Sequence, residues 1–577
     1  MDAALCSPTG LRPSSRRAPG RVVAAWAAGV AGGIALLASA GCRPDQYAQQ
    51  ADKAVYRLVK EKQQLALGQP ARFDVAYAPF ARTGDDEAAK VIVVRGKPIP
   101  VGPLKPCVLN LADCLQIAVR NSREYQTQKE DLYSEALSLA NLRHDWSLLG
   151  GAVTSEEKLT RDRDNFNTWS GTGAAGLTFT QQLLTGGAAT LATGLDFATD
   201  FLGIRSTTFG SFLSANVTQP LWRGAWRGFA YEDLYRAERD LALSVIEYDR
   251  YRQTFAVGIA ADYYRVLQRR EQLADEEENL GRVEQTAKFV KAQADEGMIS
   301  RVQADQAEQD VLNAKARIEQ SRQSYRDALD AFKLTLGLPI AASVEPDRAD
   351  LAALKPLKIP FDEPQAIRVA LRTRPDVLTQ YAGLRDARRD VEIAADGFNP
   401  RIDVAAGISV AGKAPRLPFK TQFHRETKTA SLVFDYQLDQ TDNRDAYRLA
   451  VIAQARAQRD LEGFLDQVQL EVRRSYRSLI QSENTYGIQK ASVALAKRRT
   501  KLARLEQKEG LASTRDVLEA ENALRSSKIA LTTALVDYVN TRLQFLATLG
   551  MISVNEQGRF NERNEPFYLD RYRGDAP

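Results

Sequence analysis

The sequence predicts a mainly α-helical fold with a membrane β component: long coiled-coil helical hairpins in two internal repeats, each repeat carrying a pair of β-strands. Three observations predict it. The stretch "EGMISRVQADQAEQDVLNAKARIEQSRQSY" from Glu296 returns, offset by 213 residues, as "EGLASTRDVLEAENALRSSKIALTTALVDY". The register continues from Gly297, Ser300, Ala307, Glu308, Tyr325, Phe332, Leu336 and Gly337 to Gly510, Ser513, Ala520, Glu521, Tyr538, Phe545, Leu549 and Gly550. A constant offset over so long a span reads as duplication of a unit that cannot bury its apolar face alone. Heptad spacing is the second observation, and alternating segments in both halves, uncharged in the first, are the third.

In chain order, residues 1–41 read as a signal peptide. Arg12, Arg16, Arg17 and Arg21 precede the uncharged run "VVAAWAAGVAGGIALLASAGC", which closes on small residues and Cys42. This is the layout of a secretory leader ending in a lipobox, with Cys42 as the acylated residue. An uncleaved transmembrane anchor is the alternative, since a run of this length suits a bilayer. Residues 42–108 form an N-terminal extension. Cys107 and Cys114 are the remaining cysteines of the mature chain; on one helix their α-carbons would lie about 10 Å apart, beyond disulfide range, so a bridge requires Cys107 to sit in a loop.

Repeat 1 is assigned to 109–340, with an opening helix, a β-hairpin at about 165–220, and a long helical hairpin turning at Gly297. From Asn165 to Leu195 there is no charge at all and the composition is rich in Gly, Thr and Ala, with Leu177, Phe179 and Gln181 alternating; after a short, more polar break "STTFGSFLSANVTQPLW" alternates again. Weak alternation over about ten residues between turns is the mark of membrane β-barrel strands. A small soluble β-subdomain is the other reading. The helix before Gly297 runs back to about Tyr231 without proline, with Val266, Leu273, Leu280, Ala287 and Ala294 on one seam. At 1.5 Å per residue that is about 100 Å. Val311, Ile318, Tyr325 and Phe332 continue the heptad after the turn.

Repeat 2 is assigned to 341–552, with a β-hairpin at about 401–438 and a second long hairpin turning at Gly510; residues 553–577 form a tail. Ile402, Val404, Ala406 and Ile408 alternate with Asp403, Ala405 and Ser409, and the returning helix carries Leu524, Leu531, Tyr538 and Phe545. One hairpin per repeat gives four strands. Four strands cannot close a barrel, and an open edge in lipid is forbidden, so the chain must oligomerise to span a membrane.

Charged residues are 26% of the chain with both signs interspersed and a net charge of +5, a solvated helix surface without the basic block that nucleic acid requires. His144 and His424 are the only histidines, there is no phosphate-binding loop, and the cysteines lack metal-ligand spacing. No enzyme, cofactor or metal is expected.

Several motifs resemble those of the TolC-type outer-membrane efflux and secretion channels, in their lipoprotein branch. "LADCLQIAVRNSREY" and "EPQAIRVALRTRPDV" resemble the family's repeat-opening helix; Arg374-Pro375 keeps its proline, and Ser122-Arg123 does not. "VTQPLWRG" resembles the strand-to-helix element through Gln219, Pro220, Leu221 and Gly224, whereas "FDYQLDQT" lacks both Pro and Gly. The two turns resemble the family's V-G-L tip, with Glu296 and Glu509 in place of Val and Met298 in place of the first Leu.

The resemblance implies a trimeric α/β-barrel in the outer membrane of a Gram-negative cell, anchored by palmitate-type acylation at Cys42 and extending into the periplasm. It implies a passive exit duct for small molecules or proteins, served by an inner-membrane transporter and a periplasmic adaptor that meets tip residues Gly297, Met298, Ser300, Gly510, Leu511 and Ser513. Asp516 and Glu519 follow the second tip where the first has Gln303 and Gln306; an i, i+3 pair shares a helix face, and in a trimer it makes two carboxylate rings, the expected gate and selectivity ring. A solvated helix face is the plainer account of the same pair. The rival function is a periplasmic coiled-coil spacer or adaptor lipoprotein.

Overall fold

The computed structural model describes residues 44–68, 73–75, 91–94, 97–100, 106–147, 149–162, 168–200, 207–225, 227–354, 356, 362–414, 423–509, 511–554 and 560–562. Cys42, the leader and most of the C-terminal tail lie outside them. The fold is mainly α.

The elements run in the order α1 (Pro44–Leu67), β1 (Val91–Val94), β2 (Lys97–Pro100), β3 (Cys107–Leu109), α2 (Leu111–Asn121), α3 (Arg123–Asp145), β4 (Leu149–Asp162), β5 (Thr168–Gln182), β6 (Ala188–Asp200), β7 (Thr207–Pro220), α4 (Arg227–Ala230), α5 (Glu232–Asp295) and α6 (Arg301–Thr335). There follow β8 (Val344–Pro346), α7 (Arg348–Ala353), α8 (Glu363–Thr373), α9 (Pro375–Asp396), β9 (Arg401–Ala414), β10 (Phe423–Asp435), α10 (Thr441–Lys508), α11 (Thr514–Thr548), β11 (Ile552–Val554) and β12 (Phe560–Glu562).

The chain divides into two compact units, one containing 140–234 with 399–438 and the other 56–139 with 235–398 and 439–577. The first is built on a six-stranded sheet in the order β10-β9-β7-β6-β5-β4, every neighbouring pair antiparallel. This corrects the expectation of four strands. The uncharged run expected to form one strand is broken after Gln182, where Gly186 takes φ 87° and the Leu183 N–H donates to the Gly187 carbonyl at 2.7 Å. Left-handed backbone is open to glycine at little cost, so the chain reverses there and β6 begins. β4 escaped detection because "LGGAVTSEEKLTRD" is too charged to show an apolar alternation.

In the second unit α5 has 64 residues and α10 has 68, each about 100 Å long. The heptad seams turn inward: Val266, Ile318, Phe332, Leu524, Tyr538 and Phe545 are buried, and Leu273, Leu280, Ala287, Ala294, Val311, Tyr325 and Leu531 are half-buried. Two apolar clusters anchor the helices. One joins Ile117, Tyr125, Phe255, Ile259, Tyr263, Phe332, Leu336 and Val344; the other joins Val377, Val468, Val472, Leu479, Tyr538, Phe545 and Leu549. Gly337 follows α6 at φ 73°, and a Cβ there would lie 2.2 Å from the Asn121 carbonyl oxygen at the end of α2. Gly550 follows α11 at φ 69° and faces the Thr373 carbonyl at the end of α8.

α1 packs through Val55, Leu58 and Val59, all buried, and Lys62 pairs with Glu238 of α5. Cys107 lies in β3, paired in parallel with β8, and Cys114 in α2, and no disulfide joins them.

Candidate functional site

Two regions carry the functional possibilities: the six-stranded sheet, and the turns that end the long hairpins.

Strand register assigns each sheet residue to a face, since side chains alternate. One row runs Leu177, Thr193, Leu213, Val410, Glu426; the next runs Phe179, Leu191, Ala215, Ile408, Lys428; others hold Gln181, Ala189, Val217, Ala406 and Ala430, then Val404 with Leu432, and Ile402 with Phe434, so that these positions are apolar apart from Gln181, Thr193 and the Glu426 and Lys428 pair on the edge strand. The opposite rows read Thr178, Ala192, Ser214, Ser409, Thr427 and Thr180, Thr190, Asn216, Gly407, Thr429. The apolar face is uncovered: Leu177 is 40% exposed, Leu213 43% and Leu432 67%. A sheet with one bare aliphatic face and one polar face suits lipid on one side and water on the other.

Glycines on the polar face let a neighbouring side chain lie flat. A Cβ at Gly194 would meet the Phe212 ring at 2.6 Å, one at Gly210 the Asp196 carboxylate at 2.3 Å, and one at Gly407 the Asn216 side-chain oxygen at 2.2 Å. The polar face is thereby kept shallow. Where β7 ends, Gln219 clasps the β5–β6 turn: its amide donates to the Thr185 carbonyl at 2.9 Å and its side-chain oxygen accepts from the Thr185 hydroxyl at 2.6 Å. Exposed Trp222 and Tyr436 lie in sequence just past the ends of β7 and β10, next to exposed Leu221 and Leu438; Trp and Tyr are the residue types of an interfacial belt.

The hairpin turns have one architecture. After α5 the Met298 N–H donates to the Gln293 carbonyl at 2.9 Å, with Gly297 at φ 76°; after α10 the Leu511 N–H donates to the Glu506 carbonyl at 2.8 Å. Both bonds are six-to-one closures of a helix end, the first made on the left-handed Gly297. Gly510 itself lies outside the described residues. Ser300 and Ser513 are helix N-caps: the Ser300 hydroxyl accepts from the Val302 N–H at 3.2 Å, and the Ser513 hydroxyl from the Asp516 N–H at 3.3 Å. Met298 is 67% and Leu511 81% exposed.

Asp516 and Glu519 stand one turn apart on α11, both exposed. Asp516 completes a capping box, its carboxylate accepting from the Ser513 N–H at 2.9 Å and hydroxyl at 2.6 Å. Those bonds hold its carboxyl below the usual aspartate range. Glu519 accepts from Arg499 of α10 at 2.8 Å. Gln303 and Gln306 occupy the matching places on α6.

Above the tips lies an ionic network that the sequence did not reveal. Glu521 of α11 is fully buried; it accepts from Arg504 Nε at 2.8 Å, and Arg282 Nε of α5 stands 3.6 Å from its other oxygen. Glu276 of α5 accepts from Arg525 of α11 at 2.6 Å and pairs with Arg317 of α6 at 3.5 Å. Lys528 donates to Glu278 at 2.7 Å, and that bond leads the causes that lower the Glu278 carboxyl pKa. The signal available in the sequence was Glu521 itself, equivalent to Glu308, which is exposed. A cleft of about 520 Å³ beside the network is lined by Arg282, Phe289, Lys497, Lys501, Arg504 and Lys508.

Among the described residues no group of three or more His, Cys, Asp and Glu is placed to hold a metal, and no helix is long and apolar enough to cross a membrane.

Residues 366–551 match the family model described as Outer membrane efflux protein. A curated relative, the pyoverdine export outer membrane protein OpmQ of Pseudomonas aeruginosa, is 24% identical over 219 residues, which are 38% of this chain and 44% of that protein. The chain thus matches less than half the length of this relative. Among solved structures, the Neisseria gonorrhoeae MtrE outer membrane channel in its open state superposes with a TM-score of 0.58 at 17% identity, covering 76% of this chain and 88% of that one. The Campylobacter jejuni CmeC outer membrane channel gives 0.56 at 14% identity over 80% and 88%, and the Vibrio cholerae outer membrane protein VceC 0.56 at 16% identity over 76% and 96%. These likenesses show a shared fold.

Proposed function

We propose that this chain, which belongs to the TolC-type outer membrane efflux family, is the passive exit duct of a tripartite efflux or type I secretion system. The observation that carries this is one chain holding both a sheet with an uncovered aliphatic face and a polar face, and helices about 100 Å long. Membrane spanning accounts for the first, and a tunnel reaching through the periplasm for the second. Copies assemble as a homotrimer, because the sheet has two open edges that lipid does not tolerate. The duplicated halves supply equivalent hairpins: Gly337 against Asn121 and Gly550 against Thr373 repeat one packing device at matching positions.

The parts then divide as follows. Residues 1–41 address the chain for export and Cys42 receives the lipid that anchors it to the outer membrane; 42–108 form a periplasmic extension, 109–340 and 341–552 the two repeats, and 553–577 a tail. The exposed Met298 and Leu511, set by Gly297, Ser300, Gly510 and Ser513, meet a periplasmic adaptor. Asp516 and Glu519 form the carboxylate rings of the entrance. Cargo is chosen and driven by the inner-membrane transporter, and the duct performs no chemistry.

The test is electrophoresis of outer-membrane extracts before and after boiling. A β-barrel trimer migrates as a compact, heat-modifiable high-mass species that boiling converts to monomer. A band at monomer mass in both lanes, with the protein released by high-salt washing, contradicts the proposal.

A further inference from the structure

The duct proposal leaves open what closes the sheet. Resting on that proposal, we infer that the outer edge of β10 receives β4 of a second copy, so that each copy contributes six strands and three copies close an eighteen-stranded wall.

The sheet alternates direction at every step from β10 to β4. With six strands, the two edges therefore run in opposite senses. β4 of the next copy then meets β10 antiparallel, and the alternation continues through the joint. The edges match in length, at 14 residues for β4 and 13 for β10. Six strands are too few to close alone, since the smallest single-chain membrane barrels have about eight.

The β4–β5 pair is joined to the sheet rather than appended to it. β6 pairs with β5 over its whole length, from Asp200 opposite Ser170 to Ala188 opposite Gln182. The β5–β6 turn is seated against the β7 end by Gln219, and a Cβ on Gly186 would strike the Gly224 carbonyl at 2.8 Å and the Ala230 methyl at 2.9 Å. The rows of the apolar face continue into β5 at Leu177 and Phe179.

Strands about 4.8 Å apart and tilted about 40° give a wall of eighteen strands a backbone diameter of about 36 Å, against about 24 Å for twelve. Because Phe212, Asp196 and Asn216 lie over glycines, the inner face takes little of that width. The outlet is therefore about 1.5 times wider than a wall of four strands per copy allows.

The experiment uses the full-length protein with Cys107→Ser and Cys114→Ser. Ser431→Cys on β10 is combined in turn with single cysteines at 152–158 on β4, and separately with Thr190→Cys or Ala192→Cys on β6. Oxidation in membranes is expected to yield covalent trimers for one or two β4 positions and none for β6. Cross-links to β6, which place β4 and β5 outside the wall, overturn the inference while leaving the duct proposal standing. A second measurement needs no variant. Neutral polymers added to the extracellular side of the reconstituted wild-type channel should enter up to about 25 Å across, the backbone diameter less about 10 Å of side chains. Exclusion above about 14 Å overturns the six-strand wall alone; absence of any conductance overturns the duct proposal with it.

Discussion

Replacing Glu521 tests whether the buried network ties the two hairpins together. Glu521 has no solvent exposure, Arg504 is 44% exposed and Arg282 14%. In Glu521→Gln the bond from Arg504 to one oxygen is retained, and the attraction to Arg282 is lost. A charge-assisted hydrogen bond contributes about 1.5–3 kcal/mol, and stranding a buried charge costs about 3–5 kcal/mol. Both are reduced here because Arg504 reaches water and Arg282 also donates to Glu278 at 2.5 Å. The Gln variant should therefore lose about 2 kcal/mol locally, and Glu521→Leu about 3 kcal/mol. At 1.4 kcal/mol per decade, 2 kcal/mol is about 30-fold in the opening equilibrium. Hydrogen exchange followed by mass spectrometry should show peptides across 500–525 exchanging about 30-fold faster in Glu521→Gln, with peptides around Tyr538 and Phe545 unchanged. Equal protection at 500–525 in variant and parent would refute the reasoning, because the carboxylate would then contribute nothing to closure.

Four further outcomes follow. Asp516→Ala, Glu519→Ala should abolish cation selectivity and trivalent-cation block in planar bilayers without loss of assembly; unchanged block means the carboxylates face away from the tunnel. The Asp516 carboxyl is held low, so its stabilising contribution is present above the unfolded pKa and is lost as pH falls through the lower folded value. With Glu519→Gln leaving only Asp516, block should persist to a pH below the ordinary aspartate range, and Ser513→Ala should move its loss to higher pH. Gly337→Ala, with a Cβ 2.2 Å from the Asn121 carbonyl, should destabilise by more than about 2 kcal/mol, whereas Gly297→Ala, at similar φ in open space, should cost about 1 kcal/mol; chemical denaturation compares the two. Mass spectrometry of the mature protein should begin at an acylated Cys42, and an intact 22–41 segment would show that the run is an anchor.

The helical half of the fold was legible because heptads and repeat register survive in any solvated coiled coil: Tyr538 and Phe545 lie inside as their spacing requires. The tips were legible through glycine, which the left-handed backbone at Gly297 demands. The strand count was not. A membrane strand has only a period of two to declare it, and in β4 the charges of Glu156, Glu157, Lys158, Arg161 and Asp162 remove even that. The turn at Gly186 hid inside an uncharged Gly/Thr/Ala run where nothing in composition marks a reversal. Glu521 was visible as a repeat identity with Glu308, yet one is buried and the other exposed. Which of two equivalent carboxylates is buried depends on Arg504 and Arg282 arriving from other helices, a tertiary fact that no local pattern carries.

The central claim, that copies of this chain form a water-filled duct through a membrane, is tested most directly by recording current across a planar bilayer after adding the purified full-length protein. The account predicts discrete conductance steps of one size, cation-selective and lost when the protein is boiled beforehand. A bilayer that stays silent while the protein is demonstrably inserted and trimeric would contradict it.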